Sequence, residues 1–136
     1  MESIIVDANK VMASFITEGI VHDTLFSGKF IPIAPEKLLE EVKKHKGDIA
    51  KKSGMNLSDV ESAIELLLPD FKVFSRDMYL DRLKEAKGLS PHLKDVEYFA
   101  LSLSIGCPIW SNEKAFKEQS RIKVFSTSEL LNFLSE

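Results

Sequence analysis

Residues 3–10 read Ser-Ile-Ile-Val-Asp-Ala-Asn-Lys. Three branched apolar residues run straight into a carboxylate, and a helical spacing follows at once in Val11, Met12, Phe15 and Ile16. A short unbroken apolar run of this kind is the pattern of a strand buried on both faces, as central strands of parallel sheets are. The aspartate then stands where the strand leaves the core, at the carboxyl end of that strand.

The same alternation recurs along the chain. A short helix is expected around Ile20 to Phe26, stopping at Ser27-Gly28, and Ile31 to Ala34 reads as a second buried strand. Pro35 suits a helix start. Leu38, Leu39, Val42, Ile49 and Ala50 form the stripe of one long helix closing near Gly54. Ser58-Asp-Val-Glu61 has the form of a capping box ahead of Ile64, Leu67 and Leu68. Phe71 to Phe74 is expected as the third strand, and Met78 to Ala86 as a helix. A further helix is expected from Asp95, through Val96, Phe99, Ala100 and Leu103, to Gly106. Pro108 to Ser111 and Lys123 to Phe125 complete the strands, and Glu129 to Leu134 is a last helix capped by Ser126 or Ser128. Strands alternating with helices require a parallel sheet covered on both faces. The expected fold is therefore α/β, a three-layer α/β/α sandwich with about five parallel strands.

The composition sets the class. A chain of 136 residues, 44% hydrophobic and 29% charged, suits one domain spanning residues 1–136 with its own core. No apolar run approaches the roughly 20 residues of a membrane helix, so no membrane partner is expected. The N-terminus lacks the pattern of a signal peptide. The single cysteine, Cys107, excludes an internal disulfide and fits a reducing, cytoplasmic setting. A net charge of -3 argues against a broad basic surface wrapped around nucleic acid, while leaving room for an enzyme with local positive patches.

The positions of the acids matter more than their sum. In an open parallel sheet, ligands bind outside the carboxyl ends of the strands. Asp7 ends the first strand; Ser111, Asn112 and Glu113 follow the fourth. Glu40 and Glu41 lie early in the helix after the second strand, and Asp95 opens the helix leading to the fourth. Each alone reads as an ordinary cap or first-turn acid. Together they gather at one edge. Two like charges about 4 Å apart repel by roughly 4 kcal/mol at an effective dielectric near 20. Such a pocket must hold protons or a cation. Oxygen-only donors suit Mg²⁺ or Mn²⁺, and an acidic site of that kind suits metal-assisted phosphoryl chemistry.

With VDAN after the first strand, PEKLLEEVKKH after the second and KDVEYFALSLSIGCPIWSNEKAF around the fourth, the sequence resembles the PIN domain family over essentially its whole length. The likeness is to the bacterial and archaeal branch that includes VapC-type toxins. It implies a Mg²⁺- or Mn²⁺-dependent endoribonuclease that hydrolyses RNA with metal-activated water, with an antitoxin protein as a possible partner and a homodimer as the usual assembly. Position by position, the first acid falls on Asp7, with Asn9 as the small polar residue that follows, and the third on Asp95. The second falls on Glu41, because the family's glutamate is commonly followed by an aliphatic residue, here Val42. Glu40 is the fallback, since one residue rotates a helical side chain by about 100°. The fourth falls on Glu113, where the family usually has aspartate.

Lys43, Lys44, His45 and Lys46, with Lys51 and Lys52, form the densest basic stretch and could steer an RNA backbone. Lys10 and Lys114 adjoin two of the acids and could each touch a phosphate. The plainer alternative for all of these lysines is solvation. Trp110 and Cys107 read as core. His22, His45 and His92 share no spacing suited to metal or acid–base work. Two other functions compete: a haloacid-dehalogenase-type phosphatase, disfavoured because Asn9 replaces its second aspartate, and a catalytically weak or inactive RNA- or protein-binding module.

Overall fold

The computed structural model describes residues 1–16 and 19–136. Five strands form one parallel sheet among them: β1 (Ser3–Val6), β2 (Ile31–Pro35), β3 (Lys72–Phe74), β4 (Ile109–Trp110) and β5 (Val124–Phe125), in the order β3-β2-β1-β4-β5. β1 is central. Ile5 is in register with Ile33 of β2 and with Ile109 of β4. Ile4, Ile5 and Val6 are wholly buried, which is why this strand is apolar at every position.

The helices are α1 (Ala8–Ile16), α2 (Ile20–Leu25), α3 (Lys37–Lys44), α4 (Lys46–Ser53), α5 (Leu57–Leu67), α6 (Leu83–Lys87), α7 (Val96–Ile105) and α8 (Thr127–Leu134). α1 packs against α2, α3 and α4, while α7 crosses β2 and β4 and carries α6. The fold is a three-layer α/β/α sandwich, as the alternation of apolar runs implies.

The sequence-based element bounds fail at four places. The long helix after β2 is two helices, broken at His45, whose φ of −98° and ψ of 11° leave the helical region. With the break, Val42 and Ile49 are both buried. Pro35 does not open a helix; it ends β2, paired with Phe74, where its missing N–H is not needed because Glu36 donates to the Phe74 carbonyl. α5 is capped by Asn56 and not by the Ser58 box: Asn56 Oδ1 accepts from the Asp59 N–H at 2.8 Å. The helix expected from Met78 to Ala86 is a pair of 3-10 turns followed by α6, a path that buries Tyr79 and lets its hydroxyl donate to Glu97 at 2.9 Å.

At the C-terminus Ser126 is the cap. Its Oγ accepts from the Glu129 N–H while Glu129 Oε1 accepts from the Ser126 N–H, a reciprocal box. Ser126→Ala is expected to lower stability by about 1 kcal/mol in urea denaturation. An unchanged midpoint would show that α8 is held by packing alone. Trp110 is fully buried, its Nε1 donating to Thr127 Oγ1 at 3.0 Å, so it ties β4 to α8. Cys107 is half-buried at the opposite end of β4.

Candidate active site

The sheet grows outward from β1 in both directions, β2 and β3 on one side and β4 and β5 on the other. The order therefore reverses between β1 and β4. At such a point the connections leave to opposite faces and open a crevice at the carboxyl ends of the strands. Asp7 follows β1 and Ser111 follows β4, so both stand at that crevice.

Asp7 is 3% exposed. Its Oδ2 accepts from Ser111 Oγ at 2.8 Å and its Oδ1 from the Asn9 N–H at 3.3 Å. Ser111, 1% exposed, also accepts from the Glu113 N–H at 3.1 Å. One hydroxyl thus aims Asp7 and fixes the start of the segment that carries Glu113. Asn9 contributes its backbone, while its side chain is on the exposed surface. Asn112 is engaged elsewhere: its Oδ1 accepts from the Thr127 N–H at 2.8 Å, joining the end of β4 to α8.

Asp95 is 5% exposed and occupies the cap position of α7, yet its side chain makes no cap bond. Its Oδ2 is buried without a hydrogen-bond partner among the described residues, and so is Glu41 Oε1. Glu41 has Lys37 Nζ at 3.8 Å, and Lys37 also donates to the Lys94 carbonyl, which ties the first turn of α3 to the turn before Asp95. Glu40, one residue earlier, is exposed. Glu41 is the member of that pair that feels the other acids.

Burial pushes Asp7, Glu41 and Asp95 all above the usual carboxylate range, Asp95 to about 6. Mutual repulsion adds to each: Asp7 and Glu113 act on Asp95, Asp95 and Asp7 on Glu41, and Glu113 on Asp7. The Ser111 and Asn9 donors oppose the rise at Asp7, and Lys37 opposes it at Glu41. Tyr98, fully buried beneath the cluster, is raised by desolvation and by the fields of Glu41, Asp7 and Asp95. Its hydroxyl lies beside the Ala8 backbone outside hydrogen-bond geometry.

His92 also belongs to this edge, contrary to the sequence-based expectation for the histidines. Its Nε2 lies 2.7 Å from Glu113 Oε1. Ligand atoms of His92, Asp95 and Glu113 all fall within 4.8 Å of one another. No periodicity reports this contact, because 21 residues and a helix–strand unit separate the pair. The lysines divide. Lys10 is largely buried and electrostatically coupled to Asp7, whereas Lys43, Lys44 and Lys114 are exposed. Lys37 had no signal in sequence beyond its place in the first turn of α3.

The residues fit a divalent cation. Asp7 and Asp95 are buried and Glu41 and Glu113 half-buried at one edge, their charge is incompletely offset, and two of their oxygens lack hydrogen bonds. A hollow of about 430 Å³ at the opposite edge, lined by Glu2, Cys107, Pro108, Arg121 and Lys123 among others, offers no comparable cluster.

The domain is an α/β/α sandwich with its buried acids gathered at the switch point of the sheet. Residues 5–130 match the PIN domain, and the chain belongs to that family, whose members are generally nucleases. Among solved structures it is similar to the crystal structure of PAE2754 from Pyrobaculum aerophilum, at 17% identity and a TM-score of 0.67, covering 99% of this chain and 90% of that one. That likeness concerns the fold. No curated protein matches the sequence. Among the described residues no helix is long and apolar enough to cross a membrane.

Proposed function

We propose that this PIN domain is a Mg²⁺- or Mn²⁺-dependent endoribonuclease whose catalytic set is Asp7, Glu41, Asp95 and Glu113. The observation that carries the proposal is the buried Asp95 Oδ2, which has no hydrogen bond and lies within the repulsive field of Asp7. An N-cap aspartate that makes no cap bond is unexplained by local structure and explained by a ligand.

When bound, the ion supplies the positive charge that neutralises the carboxylates and polarises a phosphodiester. Asp7, pinned by Ser111 and the Asn9 N–H, is the rigid donor, built on the central strand. Asp95 and Glu41 approach from α7 and α3, and Glu113 closes the edge after β4. Lys37 holds Glu41 in place and offsets part of its charge. The Ser111 hydroxyl is engaged by Asp7 and by the Glu113 N–H, so it orients and does not attack; water is the nucleophile we assign. Asp95 Oδ2, buried and without a hydrogen bond, is the carboxylate oxygen left open to the ion. Lys114, exposed beside Glu113, and Lys43 and Lys44 on the outer face of α3, are the candidate phosphate contacts.

Assignment to the toxin branch, with an antitoxin partner and a homodimer, rests on the resemblance of VDAN and WSNEKAF and is part of the same proposal. Incubation of mixed single-stranded and hairpin RNAs with Mg²⁺, Mn²⁺ or EDTA is the test. Internal cleavage that needs metal supports it. Intact RNA under every metal overturns it, and RNA binding without turnover would point to the non-catalytic module.

A further inference from the structure

Taking the metal site above as its premise, we propose that His92 is a nitrogen ligand of that site, giving this PIN domain a mixed N/O set that favours Mn²⁺ and later first-row ions over Mg²⁺. The geometry is built for it. His92 and Asp95 bracket one 3-10 turn, Leu93–Asp95, and lie on the same side of it as Glu113. The His92 carbonyl accepts from the Asp95 N–H at 3.1 Å and from Ser90 Oγ at 2.7 Å. Two donors on one carbonyl fix the backbone from which the imidazole projects. Its Nε2 reaches Glu113 Oε1 at 2.7 Å.

Donor atoms of His92, Asp95 and Glu113 within 4.8 Å of one another lie close to the span that one ion bridges, since ligands sit about 2.0–2.2 Å from such metals. The second observation is the one already made of Asp95: it is 5% exposed and one of its oxygens has no partner among the described residues. A surface His–Glu pair alone would need no third member. Here the third member is a buried carboxylate that its own helix leaves unused.

The donor type sets the consequence. Mg²⁺ takes oxygen and dehydrates reluctantly, whereas imidazole suits transition metals, with affinity rising from Mn²⁺ towards Co²⁺ and Ni²⁺. The Glu113 side chain is long enough to meet the imidazole, which brings both donors to the same edge as Asp95.

The test uses the untagged protein and Mn²⁺ or Mg²⁺ alone, with calorimetry and pulsed electron paramagnetic resonance of bound Mn²⁺. Wild type is expected to show ¹⁴N modulation from a coordinated imidazole and to bind Mn²⁺ at least ten-fold more tightly than Mg²⁺. His92→Asn is expected to lose that modulation and roughly ten-fold in Mn²⁺ affinity, with little change for Mg²⁺. His92→Asp, an all-oxygen set, should move the preference back towards Mg²⁺. His22 and His45 stand beside Asp23 and Asp48 at 3.6 Å, and loss of the signal in His92→Asn alone separates them from the site. Mn²⁺ bound without ¹⁴N modulation, or equal loss for both metals in His92→Asn, overturns the role of His92 and leaves the metal site standing. No Mn²⁺ binding by wild type overturns both. His92 is exposed, so its variants are expected to fold, which circular dichroism checks directly.

Discussion

Asp7→Asn is expected to lower metal-dependent RNA cleavage by about 10³-fold while the protein stays folded. The asparagine keeps the size of the aspartate and can still accept from the Asn9 N–H, which now reaches Asp7 Oδ1 at 3.3 Å. What it loses is charge at the one donor held on the central strand. The Ser111 hydroxyl can rotate to accept from the new amide, so β4 is expected to keep its register. Asp95→Asn is expected to fall as far, and the double variant little further, because groups that act as a unit are not additive. Glu41→Gln should join them and Glu40→Gln should stay within about two-fold of wild type, since Glu40 is exposed. Single-turnover cleavage of one labelled RNA measures all five. Full activity in Asp7→Asn would remove the assigned chemistry, and a large loss confined to Glu40→Gln would reverse the choice within that pair.

The second large effect is on stability and has the opposite sign. In metal-free protein, Asp95 rises from 3.8 unfolded to about 6 folded, through burial first and repulsion from Asp7 next. Between those values the native state holds a proton that the unfolded chain has released. Stability therefore falls as pH rises through this window: the contribution is fully present below about pH 4 and is lost as pH passes 6. A shift of one unit is worth about 1.4 kcal/mol. Because Asp7 and Glu41 are raised alongside Asp95, the loss is shared among them. Asp95→Asn removes one of the crowded charges, so in EDTA at pH 7.5 it is expected to be more stable than wild type by about 2 kcal/mol. At pH 4 most of the difference should be gone. Mn²⁺ should restore wild type, since a ligand at 100 times its Kd adds about 2.7 kcal/mol to the state that binds it. Urea titrations at the two pH values, with and without Mn²⁺, give the answer. A variant less stable than wild type at pH 7.5 in EDTA would mean that Asp95 serves the fold and not a ligand.

Both predictions describe one trade. The chain crowds carboxylates at one edge, where burial and mutual repulsion act against their charges. Asp95 makes no cap bond, and Glu41 Oε1 is buried with no hydrogen bond, only the Lys37 ammonium at 3.8 Å.

Much of this was legible in the sequence because it is local. A run such as Ile4-Ile5-Val6 has no polar face, so it must lie in the middle of a covered sheet, and the residue after it must stand at the sheet's edge. Repeating that pattern sets the order of strands and helices, the α/β/α layering and the positions of Asp7, Asp95 and Glu113. Helix boundaries were less legible. The helix break at His45, which has no side-chain cap, buries both Val42 and Ile49, and Asn56 is used instead of Ser58, a cap of similar strength.

Only the tertiary structure decided the rest. The order β3-β2-β1-β4-β5 puts the reversal beside β1, so the end of β1 lies at the switch point of the sheet and is not merely a strand end. It also turned Asn112 towards Thr127, buried Lys10, brought Lys37 to Glu41 and set His92 against Glu113. Those contacts join residues that share no helical or strand period. Periodicity reports which face a side chain takes on its own element, and a partner on another element is chosen only when the sheet closes and the elements dock.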